Sequence, residues 1–454
     1  MINRRQFLQA SASLALVSTF PRGTSGATSL RTRPSWSTFR KSPQFPALLA
    51  AVGKMRANLD ATKPGSWAYW TNVHIASCPH GKPYFLAWHR GFLARFEAQL
   101  RKASGDSALV LPYWNYYRHP LLPVEFSDPT SPLYRGNRTG SDVSGALSLT
   151  AFDDSLTHFQ RGKPDAFEPA VETSPHGGVH NLIGGSMAHI TIAPRDPIFW
   201  LHHANIDRLW DGWVYAGNGR HMPATSSSYW SGSFTYGTAV AAVKRVATTS
   251  PSNLGYRYDD RTLPSTLPAS ATPALPTAVQ EAFAQPLPAQ GASVGGVAGV
   301  ALGPRSIRLR IPLTPDARNR VRSLLTRPDP GDAPADDRLR VVCDGVVVTT
   351  AGAPGGYFYK VLLNLPSQGM PQTEQTCLIG TLGPFEVGVA LHAQGMRQGH
   401  MAMHGTARLV FPALDVLRRI WPDALDDLTV SFARVGTTPE GTAIEIDRVS
   451  VEAA

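Results

Sequence analysis

The sequence predicts a mainly α-helical domain with a helical-bundle core, followed by an all-β sandwich or barrel. Three observations predict it. From about Ser29 to Trp213 the apolar residues recur at helical spacing. A run rich in Pro, Ala, Thr and Ser then extends from Leu263 to Pro288 and reads as a linker. From Ile307 onward the pattern changes to alternation of apolar and polar residues, the period of a half-buried strand.

Three helices stand out in the first region. Ser66 to Ile75 places Trp67 and Trp70 on the same face as His74. Trp88 to Leu100 carries Phe92, Leu93, Phe96 and Leu100 on one stripe, and His203 to Trp213 carries Ile206, Leu209, Trp210 and Trp213. Pro112-Tyr113-Trp114 interrupts between helices. In the second region, residues 307–311, 428–432 and 444–447 alternate, and 339–348 and 357–365 are rich in β-formers between Gly and Pro clusters. Strands this frequent point to antiparallel pairing.

Composition narrows the class. At 454 residues the chain is long enough for two domains, and 43% hydrophobic with 17% charged residues is a globular balance. The net charge of +10 is spread along the chain without a Lys/Arg block, so it reads as a solvated surface and no nucleic-acid partner is expected. Residues 1–27 are expected to lie outside the fold. Asn3-Arg4-Arg5-Gln6-Phe7-Leu8 resembles a twin-arginine export signal, followed by an apolar stretch from Ala10 to Phe20 and small residues Ser25-Gly26-Ala27. That stretch is shorter than the ~20 residues needed to span a bilayer. The expectation is export to the periplasm or beyond, with no membrane partner after signal removal. The domain boundaries that follow are 28–262 for the helical domain, 263–296 for the linker and 297–454 for the β-rich domain. Cys78, Cys343 and Cys377 are odd in number, which leaves at least one unpaired in an oxidising compartment.

The histidines carry the chemistry. Of 14 in the chain, ten lie between His74 and His203. His176 and His180 are four apart, so on a helix both imidazoles face one way and can hold one metal. His80 and His89 are nine apart, a spacing that suits a loop ligand beside a helix ligand. His203 follows Asp196-Pro197-Ile198-Phe199-Trp200-Leu201-His202 at the expected start of a helix. A hydrolytic two-metal site would mix in carboxylate ligands, and here every candidate is histidine.

Two longer patterns resemble the copper signatures of the tyrosinase and catechol oxidase family. The first is His80-x4-Phe85-Leu86-Ala87-Trp88-His89-Arg90-x2-Leu93-x3-Glu97, and the second is Asp196-Pro197-x-Phe199-Trp200-x2-His203-x3-Asp207. They occur in the family's order, with His176-x3-His180 upstream of the second. The resemblance implies two copper ions per chain. Copper A would be held by His74, His80 and His89, and copper B by His176, His180 and His203. Three neutral imidazoles per ion leave an open face toward dioxygen, and paired ions in two-metal sites sit ~3.5–4 Å apart. The activity implied is oxidation of o-diphenols to o-quinones by dioxygen on a small phenolic substrate. Monophenol hydroxylation and haemocyanin-like dioxygen binding are the alternatives within the same family.

Further expectations follow from the same resemblance. Cys78-Pro79-His80 has the Cys-x-His form that in some relatives carries a thioether; a buried free thiol is the other reading. Asp207 and Glu97 are expected to support ligands or anchor helices. Hydroxylating relatives use a carboxylate and an Asn directly after the first copper B histidine. Glu172 and Asn181 are the candidates here, but position 177 is Gly, so hydroxylation is expected to be weak or absent. Ile190 is a candidate for the site entrance. Leu254-Gly255-Tyr256-Arg257-Tyr258-Asp259 resembles the closing segment of plant polyphenol oxidases, in which tyrosines meet an N-terminal arginine; Arg31 or Arg33 could take that part. The region from Tyr357 to Pro366 resembles their C-terminal shielding domain, which implies a latent enzyme with one aromatic side chain, from Tyr357, Phe358 or Tyr359, in the pocket.

Overall fold

The computed structural model describes residues 30–269, 280–281, 286–287, 293–326, 338–364, 376–398, 405–420, 425–437 and 440–453. The expected export segment 1–27 and most of the Pro/Ala-rich run lie outside the described residues.

After strand β1 (Arg31–Arg33) and the short α1 (Trp36–Phe39) come α2 (Phe45–Ala57), α3 (Trp67–Ser77) and α4 (Phe85–Ser104). Next are α5 (Phe167–Val171), a kinked π-helical turn at Glu172–Gly177, α6 (Gly178–Ile183) and α7 (Ile198–Ala216). Helices α4 and α7 pack together as the centre of this domain, with the rings of Phe96 and Trp200 stacked at 3.4 Å between centroids. Apolar residues at i, i+3 and i+4 on both helices make this seam. Helix α7 starts five residues earlier than the expected start at His203. The cause is Asp196: its Oδ1 accepts the N–H of Ile198 at 3.0 Å, and Arg138 holds the same carboxylate at 2.6 Å. The copper B candidate is therefore in the second turn of a rigid helix rather than at its fraying end.

Strands β2 (Ser233–Phe234) and β3 (Val243–Lys244) form a small ribbon, and β4 (Tyr256–Tyr258) pairs in parallel with β1. That pairing decides between the two arginines. The Arg33 guanidinium lies 3.6 Å from the centroid of Tyr256 and 5.8 Å from that of Tyr258. Arg31 instead reaches the carbonyl of Ser107 at 3.4 Å.

Among its described residues the C-terminal domain contains two five-stranded sheets. Its strands are β5 (Gln280–Glu281), β6 (Pro286–Leu287), β7 (Ser293–Leu302), β8 (Ile307–Pro312), β9 (Leu339–Val348), β10 (Tyr357–Leu363), β11 (Leu378–Leu382), β12 (Ala407–Pro412), β13 (Asp427–Gly436) and β14 (Ile444–Ala453). The sheet orders are β11-β10-β13-β8-β5 and β12-β9-β14-β7-β6. The core between them takes Val297 and Leu302 from one strand, Leu309 and Ile311 from the next, and Val341, Tyr359 and Phe432 from others, so the two sheets form a sandwich. Three helices join the strands among the described residues: α8 (Pro315–Thr326), α9 (Pro384–Gln398) and α10 (Leu414–Ile420). Alternation did not announce them, because their apolar residues follow the helical period instead. Strand pairing also reaches back into the expected linker, with β5, β6 and the start of β7 inside 263–296. No helix among the described residues is long and apolar enough to cross a membrane.

The domains share a buried contact. Phe358 and Phe385 of the C-terminal domain belong to the helical domain's core. Gly185 donates to the Pro354 carbonyl at 2.7 Å, and Gly356 donates to the Asn181 carbonyl at 2.8 Å.

Candidate metal centre

The six predicted histidines come together in the middle of the helical domain. His74 lies in the last turn of α3, His80 on the loop that follows, and His89 in the second turn of α4. One donor nitrogen from each lies within 4.8 Å of the others. His176 belongs to the kinked turn before α6, His180 to α6 and His203 to α7; they cluster in the same way, together with His202. The clusters face each other: the rings of His89 and His203 stack at 4.4 Å, and those of His80 and His176 at 5.4 Å. All seven imidazoles are buried.

Burial decides their protonation. Removing an imidazolium from water disfavours the charged form. His89 and His180 are pushed down to about 3 by desolvation, and His74, His80, His176, His202 and His203 also fall well below the ordinary value. Neutral imidazoles are the form that binds a metal.

Hydrogen bonds leave the right atoms free. Nδ1 of His89 bonds the Phe85 carbonyl at 2.8 Å, Nδ1 of His180 the Met187 carbonyl at 2.8 Å, and Nδ1 of His176 the Glu172 carbonyl at 3.2 Å. In each case a carbonyl can only accept, so Nδ1 carries the proton and Nε2 keeps its lone pair. Nε2 of His89 and His176, and both nitrogens of His74 and His80, are buried without a hydrogen-bond partner. Buried polar atoms are rarely left so, and metal ligation is what this pattern fits. When bound, the copper pair supplies the capture and reduction of dioxygen.

His202 is the residue that spacing alone did not place. Its ring stacks on His176 at 5.4 Å and packs against Tyr116 at 5.8 Å. His203 instead faces His89 of the first cluster and brings its Nε2 to 3.4 Å from that of His180. Adjacent residues on a helix point about 100° apart, and the His203 direction is the one toward the other cluster.

The supporting carboxylates are anchors. Asp207 receives Arg90 at 2.5 Å and the hydroxyls of Tyr256 and Tyr258 at 2.6 Å each. Glu97 receives Arg33 at 2.7 Å and Arg101 at 2.6 Å. Both tie helices to the chain termini of the domain; neither bonds a candidate ligand. Phe199 and Trp88 pack on ligand rings, Phe199 at 4.2 Å from His203 and Trp88 at 4.9 Å from His89. Trp200 lies buried one layer deeper in the α4–α7 seam.

Glu172 is not a free base. Its Oε1 accepts the Gly81 N–H at 2.7 Å and its Oε2 holds Arg161 at 2.5 Å. Burial raises its carboxyl, and the Arg161 charge opposes that shift. Asn181 is also engaged: its amide donates to the Gly177 carbonyl at 3.0 Å and to Glu386 at 2.8 Å, and its Oδ1 accepts the Phe385 N–H at 3.0 Å.

The C-terminal domain covers this centre with α9. Phe385 stacks on His180, with centroids 4.1 Å apart and planes 16° apart, and lies 5.4 Å from His176 and 5.6 Å from His80. This corrects the expectation that Tyr357, Phe358 or Tyr359 fills the pocket. On β10 side chains alternate, so Tyr357 and Tyr359 turn into the sandwich core beside Arg434. Phe358 faces the helical domain but meets Gly178 and Ala146. Ile190 is buried beneath α9, close to Gly388. Glu386 occupies the space beside Gly177, where any β-carbon would collide with its Oε1. The Gly383-Pro384 pair after β11 marks a helix start in the sequence, but nothing local says that its first turn lies over the histidines. Cys78, Cys343 and Cys377 are buried and in no disulfide among the described residues, and burial raises the thiols of Cys78 and Cys343.

Comparison with known proteins agrees with this geometry. The common central domain of tyrosinase matches residues 54–147 and 127–216. Tyrosinase HcTyr1 of Hahella sp. (strain CCB-MM4) is 31% identical over 229 residues, covering 37% of this chain and 46% of that protein. Hemocyanin A-type, units Ode to Odg, of Enteroctopus dofleini is 27% identical over 226 residues, covering 41% of this chain and 18% of that protein. The chain thus matches about half or less of the length of these relatives. The solved structure of latent apple tyrosinase shares the fold over 94% of this chain and 98% of its own, with a TM-score of 0.52 at 20% identity. From the paired histidine clusters, the central-domain match and the shared two-domain fold, residues 54–216 belong to the central-domain family of tyrosinase, and the chain as a whole is similar to type-3 dicopper tyrosinases and polyphenol oxidases.

Proposed function

We propose that this protein is a latent catechol oxidase: it oxidises o-diphenols to o-quinones with dioxygen once its C-terminal domain is displaced. The observation that carries the reading is the Phe385 ring stacked on His180. An aromatic ring already fits there, so a flat phenolic ring fits the same place when Phe385 leaves. In the overall reaction two catechols each give up two electrons and two protons, and one dioxygen becomes two waters.

The chain's own residues bind and protect. His74, His80 and His89 would hold one copper, and His176, His180 and His203 the other. Phe199, Trp88 and Phe85 line the ligands with apolar rings and keep water out. Monophenol hydroxylation needs an acceptor that can take the phenol proton. Gly177 offers no side chain, and both oxygens of Glu172 are already engaged. Oxidation of diphenols without efficient hydroxylation is the activity this arrangement favours.

Cleavage within 263–288, followed by oxygen uptake on catechol and on tyrosine, tests the proposal. Catechol turnover should rise sharply after cleavage, and tyrosine should react slowly with a lag. A dioxygen carrier would show reversible dioxygen binding with no quinone before or after cleavage. Equal catechol turnover before and after removal of the domain would refute latency.

A further inference from the structure

Glu172, outside the candidate ligands, is hydrogen-bonded to both halves of the centre. The backbone carbonyl of Glu172 bonds Nδ1 of His176, in the second cluster, at 3.2 Å. Its side-chain Oε1 accepts the N–H of Gly81, the neighbour of His80 in the first cluster, at 2.7 Å. Its other oxygen is held by Arg161 at 2.5 Å. One helical turn earlier, the fully buried Glu168 repeats the arrangement. Its Oε1 accepts the N–H of Leu86 at 3.2 Å, and its Oε2 accepts the N–H of Arg161 at 3.2 Å. Leu86 lies in the first turn of the helix that carries His89. Two carboxylates on the copper B segment therefore grip two backbone amides of the copper A segment, with Arg161 joined to both.

We infer that Glu172 is a positioning residue that sets the separation of the two copper ions, by fixing the His80 loop against the His176 segment. This rests on the six-imidazole reading of the centre. The need for such a clamp is specific to His80. The other helical ligands take their direction from helices, and His89, His176 and His180 also from hydrogen bonds to carbonyls. His80 sits on a loop, and neither of its nitrogens has a hydrogen-bond partner to orient the ring. Its direction is set by the backbone at His80 and Gly81, and Gly81 is turned into the left-handed region at φ +66°. A ligand set tolerates errors of only about 0.5 Å. The Glu172–Gly81 bond is what holds that loop across to the other cluster.

The test is electron paramagnetic resonance on the copper(II) form of the full chain, with copper measured by metal analysis. Two copper(II) ions held close enough to share a bridging oxygen couple their spins and give no ordinary copper(II) signal; ions that drift apart regain it. Glu172→Ala should show that signal and retain copper about 10–100-fold less tightly. Glu172→Gln keeps an acceptor for the Gly81 N–H and should restore the silent state. Glu172→Ala with two coppers and a silent spectrum would overturn the inference. So would a Glu172→Gln chain that behaves like Glu172→Ala, because charge rather than acceptor geometry would then be decisive. Should Glu172→Ala fail to fold, Glu172→Asp probes the same clamp, because the shorter side chain draws its acceptor back from the Gly81 N–H: a new signal supports it and a silent one overturns it. A parent protein that binds fewer than two coppers, or is not silent, would instead count against the six-imidazole reading.

Discussion

The ring of Phe385 lies parallel to the imidazole of His180, 4.1 Å away, and its backbone N–H is fastened to Asn181, the next residue along α6. A residue of the β-rich domain is thus stacked on one copper B candidate and hydrogen-bonded beside it. This contact joins the two domains at the point where substrate would enter.

Phe385→Ala should raise catechol turnover of the uncleaved chain by about tenfold or more, since a tethered ring competes at an effective concentration on the order of mM. The cleaved enzyme lacks this residue, so its turnover must not change. Glu386→Ala should act in the same direction by loosening the hold on Asn181. Gly177→Asn should also weaken latency, because the new side chain meets Glu386. Oxygen uptake by matched cleaved and uncleaved samples measures all three, and unaltered latency in Phe385→Ala would contradict the assignment of the plug.

Copper content separates His203 from its neighbour. His203→Ala and His89→Ala should each bind one copper fewer than the parent by metal analysis and lose oxidase activity. His202→Ala should keep two. Retention of both ions in His203→Ala, with loss in His202→Ala, would exchange their roles.

Acid should destabilise the metal-free protein through its histidines. His89 and His180 titrate near 3 in the fold, against ~6.5 when unfolded. The unfolded chain therefore binds more protons between those values. The stabilising contribution is complete above about pH 6.5 and is lost as the pH falls toward 3. Melting temperature of the metal-free protein should drop steadily from pH 7 to pH 5. A flat profile over that range would mean that these imidazoles are not buried neutral.

Arg33 anchors the first strand of the helical domain to Glu97 and to Tyr256. It is fully buried, and Asp207 lies 3.7 Å from its guanidinium as well. Arg33→Ala should cost about 3 kcal/mol, the lower end for a broken buried ion pair, because Arg101 and Arg90 still serve the two carboxylates. Arg33→Lys should recover little, since a lysine cannot both reach Glu97 and lie flat on Tyr256. Denaturant unfolding gives the difference, and a loss under about 0.5 kcal/mol would place the burden elsewhere.

The sequence by itself determined the chemistry of the centre. Six histidines at fixed spacings stand out as candidate ligands, because a helix or a short loop translates spacing directly into direction. It also determined that a helical domain precedes a β-rich one, since the two periods are local properties. What only the tertiary structure decided are relations between distant segments. The choice of Arg33 over Arg31 depends on which strand face meets Tyr256. The choice of Phe385 over the Tyr357–Tyr359 segment depends on which surface of the sandwich docks on α6. Glu172, read from the sequence as an acid–base candidate, has both oxygens occupied by Gly81 and Arg161, which lie 91 and 11 residues away. No local pattern encodes such partners; they arise when hydrophobic packing of α4 against α7, and of one domain on the other, brings remote backbone amides and rings within reach.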